Sequence, residues 1–296
     1  MSVEETARNI SSMRVRGALD IALAAAKALL KEVSEGKSMR ELEESATLLK
    51  NARPTAVSLP NSVEYVMYCV KDSAGKDEAE TRIKEFISLQ EQAMEKIGRY
   101  GSHLIQDGDI LLTICNSDTV INVFRHARED GKKFSVYACE TRPRNQGILT
   151  VKALQEVNVD ATLIVDSAAH YVMREKKVSG VYVGADTVYA NGDVVNKIGT
   201  SQIALTANAN GIDFNVATQT IKFSPQSIYG YESKIEERDP GEVSDMKDVK
   251  IFNPAFDVTS KEHVTRLITE EGVIPPEAVY SLLKEKFTWR MSDDDE

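Results

Sequence analysis

The chain has no apolar run long enough to span a membrane. Its opening residues, Met1-Ser2-Val3-Glu4-Glu5-Thr6, carry neither the basic nor the apolar stretch of a secretory leader. Cysteine is scarce: Cys69, Cys115 and Cys139 are odd in number and widely spaced, which excludes a disulfide framework and a thiolate zinc site. A reduced, cytoplasmic protein is therefore expected. The four histidines form no metal constellation, so no metal is expected. Basic residues are outnumbered, with 36 Lys and Arg against 46 Asp and Glu and a net charge of −10, so a nucleic-acid partner on a basic face is not expected. No strand-like run is followed by G-x-G-x-x-G, and no phosphate-binding P-loop occurs, so neither NAD nor ATP is implied.

What is present suits two domains in 296 residues. Residues 1–106 read as an α-helical bundle. Ala22 to Leu30 are nearly all strong helix formers, ending near Gly36, and Ser38 with Glu41 has the spacing of a capping box. That helix runs to Ala52 and stops at Arg53-Pro54. From Asp77 to Ile97 an apolar stripe (Ile83, Ile87, Ala93, Met94, Ile97) marks a long one-sided helix. Gly17, beside Arg16, would cost roughly 1 kcal/mol in a helix interior relative to alanine. It reads either as a break between two helices or as backbone brought close to an anion. Arg53 before Pro54 reads equally as a helix terminator or a phosphate fork.

From Asp107 the pattern changes. Apolar runs at Ile110–Cys115, Phe134–Cys139, Ala161–Val165, Val178–Val183 and Asp213–Thr218 alternate with helical stretches. The expected fold class is α/β: the helical bundle followed by a Rossmann-like parallel-sheet domain, residues 107–296, with helices on both faces. Parallel strands put their carboxyl ends on one edge, where ligands bind. That edge collects Cys115, Arg142, Gln146, Asp166, Asp186 and Lys222. Cys115 lies between a strand end and a helix start, where the dipole would lower a thiol pKa; Cys69 and Cys139 are expected simply to pack. After Asp186, Asn191-Gly192-Asp193 reads as a tight turn, and Asn196, Lys197 and Thr200 precede an apolar helix. Beyond Asp257 a helix through Leu267 and a final helix to Phe287 are expected. The polar 224–248 segment reads as a lid or a plain surface connection, and the acidic tail Ser292–Glu296 as disordered.

Six motifs stand in order: Ile114-Cys115-Asn116-Ser117, Glu140-Thr141-Arg142-Pro143-x-x-Gln146-Gly147, Gly184-Ala185-Asp186, Asn191-Gly192-Asp193, Asn196-Lys197-Ile198-Gly199-Thr200 and Asn253-Pro254-Ala255-Phe256-Asp257. Together they resemble the family that holds the regulatory subunits of translation initiation factor 2B and the sugar-phosphate isomerases related to them. The resemblance covers nearly the whole chain, Arg16-Gly17-Ala18 and Arg53-Pro54-Thr55 included. It implies that Cys115 and Asp186 are catalytic, a pairing that favours the isomerases, since the translation subunits generally lack the cysteine. It further implies that Arg16, Gly17, Ala18 and Arg53 hold one phosphate, and that Arg142, Gln146, Asn196, Lys197 and Lys222 supply the remaining substrate contacts. Two places depart from the methylthioribose 1-phosphate type of isomerase. Ser117-Asp118-Thr119-Val120 stands where that type has a glycine- and alanine-rich stretch, and Thr220–Ser224 stands where it has an apolar, proline-rich segment. Lys222 suits a second phosphate.

The implied activity is the archaeal-type isomerisation of ribose 1,5-bisphosphate to ribulose 1,5-bisphosphate in nucleoside-monophosphate salvage, with no cofactor. In that chemistry Asp186, kept protonated by an apolar setting, donates to the ring oxygen, and Cys115 moves the C2 proton. Exchanged roles, or hydride migration, are the alternatives. The competing reading is a non-catalytic regulatory subunit binding initiation factor 2 or a nucleotide, and a third is isomerisation of methylthioribose 1-phosphate. The resemblance also implies a homo-oligomer, a dimer or a hexamer built from dimers, with a phosphorylated pentose as partner and neither nucleic acid nor membrane.

Overall fold

A computed structural model describes residues 1–15, 17–232 and 234–291. Arg16 and the acidic tail therefore lie outside the described residues. The chain divides into two compact units: residues 1–93 with 221–225 and the stretch from 281 on, and residues 94–220 with 226–280.

The first unit is helical. α1 (Val3–Ser11) and α2 (Ala18–Glu35) are separate helices, with Gly17 as the extended N-cap of α2. Gly17 does break the two helices apart, as the first of its two readings has it. Gly36 closes α2 in the left-handed conformation, and the Ser38–Glu41 capping box opens α3 (Met39–Ala52), which ends at Arg53. α4 (Ser58–Asp72) follows, then α5 (Lys76–Ser102), which runs on past residue 93. The alanines of α2 admit α4 closely enough for Ser58 Oγ to donate to the Ala18 carbonyl at 2.7 Å and Ser62 Oγ to that of Ala22 at 2.8 Å. Ile21, Ala25, Leu29, Leu59, Val63 and Val66 are fully buried there.

The second unit is built on β1 (Ile110–Thr113), α6 (Asp118–Glu129), β2 (Ser135–Cys139), α7 (Gln146–Glu156), β3 (Asp160–Ile164), α8 (Ala169–Glu175) and β4 (Gly180–Val183). It continues through β5 (Thr187–Tyr189), β6 (Val194–Lys197), α9 (Thr200–Ala209) and β7 (Asp213–Ala217). β8 (Phe223–Ser224) falls in the first unit; β9 (Phe256–Thr259), β10 (Arg266–Thr269) and β11 (Gly272–Ile274) return to the second. The main sheet has the order β11-β10-β7-β4-β1-β2-β3 and is parallel except for β11. The chain order reverses between β1 and β4, so right-handed crossovers put α6 and α7 on one face and α8 and α9 on the other. Leu111, Val123, Phe124 and Val136 fill the core on one side of β1, with the Phe124 and Tyr182 rings edge to face at 5.6 Å.

Two expectations are corrected. Leu267 lies in β10, not in a helix, pairing in parallel with Val216 of β7. Arg266-Leu267-Ile268-Thr269 is too short to show a period, and its pairing between β7 and β11 makes it a strand. Asn196 and Lys197 are likewise not in a loop before a helix. They end β6, which pairs antiparallel with both β5 and β9. The expected turn joins β5 to β6: Gly192 has φ +93°, and the Tyr189 N–H donates to the Asp193 carbonyl at 2.9 Å.

Candidate active site

The reversal of strand order opens a crevice at the carboxyl ends of β1 and β4, which lie side by side with Leu112 opposite Val181. Cys115 follows β1 and Asp186 follows β4. The two loops touch: a Cβ on Gly184 would stand 2.6 Å from Ser117 Oγ and would have to push that side chain aside. Cys115 itself is left-handed, φ +70°, a conformation costly for a side-chain-bearing residue. It is held there from both ends. Its N–H donates to Thr141 Oγ1 at 2.8 Å, and its carbonyl accepts from Thr150 Oγ1 at 2.7 Å.

Thr141 is left-handed too, φ +63°. Its hydroxyl donates to the Cys139 carbonyl at 3.0 Å, and Asp166 at the end of β3 accepts from the N–H groups of Thr141 and Arg142, each at 2.8 Å. The 140–147 loop, with a cis Arg142–Pro143 bond, is thereby fixed against both neighbours. Arg142 is exposed, its guanidinium donating to the carbonyls of Pro143 at 3.2 Å and Val243 at 3.1 Å. Gln146 opens α7 and is half-buried.

β6 brings its end to the same edge, because the Asp186 N–H donates to the Val195 carbonyl at 2.9 Å. Asn196 is buried and donates to Thr200 Oγ1 at 3.0 Å. Lys197 is only 6% exposed, its amine 4.5 Å from the centroid of the Phe256 ring. Burial pushes the Lys197 amine down, partly offset by Cys115 and Asp186.

The thiol differs from the expectation. Burial pushes Cys115 up to about 11, with Lys197 pulling down and Asp186 pushing further up. The residue keeps some exposed surface, but the thiol itself is enclosed, and the N-cap of α6 is Ser117, two residues on. Desolvation of the thiolate outweighs any help from the helix start. Cys69 and Cys139 are buried packing residues, as expected, and burial raises both.

Thus Cys115, Arg142, Gln146, Asp186, Asn196 and Lys197 are brought to one edge of the sheet unit. Gly17, Ala18, Arg53 and Lys222 belong to the helical unit. Ala18 opens α2, Arg53 closes α3, and Lys222 is buried in a single 3-10 turn, Thr220–Lys222. Sequence reasoning missed Thr141 as an anchor and Arg238 altogether. Arg238 lies 5.8 Å from the Phe256 ring and lowers both Cys115 and Lys197. A lone arginine in a charged connection carries no local signal of such a position.

The fold and the paired loops define a class, and the description "Initiation factor 2 subunit family" matches residues 14–276, so the chain belongs to that family. Among its relatives, the chain is 44% identical over 297 residues to the ribose 1,5-bisphosphate isomerase of Methanocaldococcus jannaschii, spanning 97% of this chain and 96% of that one. It is 45% identical over 303 residues to the ribose 1,5-bisphosphate isomerase of Archaeoglobus fulgidus, spanning 99% and 96%. Among solved structures it is similar to the Pyrococcus horikoshii OT3 translation initiation factor eIF-2B, with a TM-score of 0.79 and 30% identity over 93% of this chain and 97% of that one. No described helix is long and apolar enough to cross a membrane.

Proposed function

We propose that the protein is a cytoplasmic sugar-phosphate isomerase that converts ribose 1,5-bisphosphate to ribulose 1,5-bisphosphate, and that Cys115 and Asp186 are its catalytic pair. The observation that carries this reading is the meeting of the Cys115 and Asp186 loops at the strand-order reversal, with Lys197 acting on the thiol. The relatives named as isomerases of this bisphosphate support the substrate.

The anomeric oxygen of the substrate is blocked by phosphate, so the ring must open at the bond between C1 and the ring oxygen. Transfer of the Cys115 thiol proton to the Asp186 carboxylate leaves a thiolate and a carboxylic acid, and Asp186 gives its proton to that oxygen as the bond breaks. Cys115 then takes the C2 proton, and the C2–H electron pair becomes the C1–C2 double bond of an enol phosphate. The thiol returns its proton at C1, the C2 hydroxyl proton goes to the Asp186 carboxylate, and the ketose forms with both groups restored. Burial works against the thiolate that this shuttle needs, and Lys197 is the cation beside it that favours that form. Arg142, Gln146, Asn196, Lys197 and Lys222, with Arg16, Gly17, Ala18 and Arg53, make up the substrate contacts, and residues 107–296 form the catalytic and dimerisation domain of a homo-oligomer.

The test is turnover by the purified protein of ribose 1,5-bisphosphate against methylthioribose 1-phosphate. Ketose should form from the bisphosphate, and Cys115→Ser and Asp186→Asn should each lower kcat at least about 1,000-fold with unchanged circular dichroism. Retained activity in either variant sinks the catalytic assignment. Silence with both substrates in a folded protein favours the regulatory binding module instead.

A further inference from the structure

Arg238 is brought to the site by a fold-back within the sheet unit. Its N–H donates to the Asn253 carbonyl at 2.9 Å, and the Ala255 N–H donates to the Glu236 carbonyl at 2.8 Å. These bonds lay residues 236–238 along 253–255. The side chain is 12% exposed, and its Nε donates to Glu236 Oε1 at 3.0 Å. Among the described residues that carboxylate is the one ion-pair partner of Arg238, and it engages a single edge of the guanidinium.

Two cations approach the Phe256 ring. The Lys197 amine is 4.5 Å and the Arg238 guanidinium carbon 5.8 Å from its ring centroid. Lys197 has no ion pair among the described residues, and Arg238 acts on it as a like charge. A buried, unpaired ammonium beside a second cation is costly unless an anion joins them. The cleft they share is also lined by Gln146 and Asn253, while Arg144 and Glu242, on the same cleft, are ion-paired to each other. Lys197 is therefore the cation of this cleft that has no ion pair among the described residues, and Arg238 is paired through one edge only, to Glu236.

We infer that Arg238 and Lys197 form an anion subsite for one phosphate of the substrate, with Arg238 supplying the free edge of its guanidinium. Arg238 is thus a substrate-binding residue contributed by a segment otherwise open to reading as a surface connection. A phosphate there meets planar donors from Arg238 and a point charge from Lys197, the usual division of work between these side chains. This inference rests on the isomerase reading for the identity of the substrate, but not for the existence of the subsite.

Two measurements separate them. Inorganic phosphate, titrated calorimetrically into the full-length protein, should bind the wild type and Arg99→Gln alike. Arg99 is an exposed arginine of α5 whose loss changes net charge by the same amount. In Arg238→Gln the phosphate dissociation constant should rise about 10-fold or more, and in Arg238→Lys, which keeps the charge but not the fork, several-fold. Thermal melts establish that each variant folds, and the lysine variant decides the matter if the glutamine variant does not. No phosphate binding by the wild type, or equal binding in all four proteins, overturns the subsite whatever the enzyme does. In turnover of ribose 1,5-bisphosphate, Arg238→Gln should raise KM about 10- to 100-fold and change kcat much less. An unchanged KM overturns the role of Arg238 while leaving the isomerase intact. Absence of turnover in the wild type removes the isomerase reading, and the phosphate titration still decides on the subsite.

Discussion

The chemistry of Cys115 follows from where its backbone is pinned. A thiol raised to about 11 is protonated at neutral pH, so its reactivity should climb steadily with pH rather than level off near neutrality. Alkylation of Cys115 by iodoacetamide, followed by mass spectrometry across alkaline pH, should give a midpoint well above the ordinary thiol range. Lys197→Met should push that midpoint higher still, because removing the cation leaves the thiolate with burial and Asp186 against it. A midpoint that falls or stays put in Lys197→Met would break the link between the two side chains. At this scale the sequence was readable in part. Cys115 and Asp186 announced themselves by their place after apolar runs and by the surrounding motifs. The direction of the thiol shift did not, because desolvation depends on neighbours far along the chain. Arg238 was invisible for the same reason.

Among the elements, five of the six parallel strands were legible as apolar runs, the largely exposed edge strand β3 included, and so were the helical stretches between them. β6 was not, because a strand ending in Asn196 and Lys197 looks like a polar loop until β9 is seen to cover it. β10 was not legible either, because two apolar residues between Arg266 and Thr269 fit either period. The turn at Gly192 was plain from its residue types, whereas the crowded start of α7 shows only in the structure. There a Cβ on Gly147 would fall 1.9 Å from the Cys139 carbonyl oxygen, an obstacle of backbone that cannot swing aside. Gly147→Ala should therefore cost about 1–3 kcal/mol, lowering the thermal midpoint by several degrees, and should impair turnover by shifting Gln146. A midpoint equal to that of the wild type would mean that α7 moves more freely than its packing suggests.

At the scale of the molecule, the chain closes on its beginning: residues 281–291 belong to the helical unit, although the sequence between runs through the sheet. Trp289, the single tryptophan, packs edge to face on Tyr65 at 5.5 Å and lies 5.8 Å from Phe287. Its fluorescence therefore reports the helical unit. Tyr65→Ala, which also removes a 4.5 Å ring contact with Phe86, should lower stability by about 1–3 kcal/mol in urea unfolding followed at Trp289. No change in the midpoint would mean that this aromatic cluster does not hold the chain's end. The sheet edge shows the opposite economy of contacts. One hydroxyl, that of Thr141, serves the ends of β1 and β2, while the N–H of the same residue reaches the end of β3. Three loops tied through one residue cannot be altered one at a time, so substitutions around Cys115 must arrive together or not at all. The segment carrying Arg238 hangs on a few backbone bonds and can change alone. Under the proposed function, new substrate preferences would be acquired there first, with the proposed catalytic pair carried along unchanged.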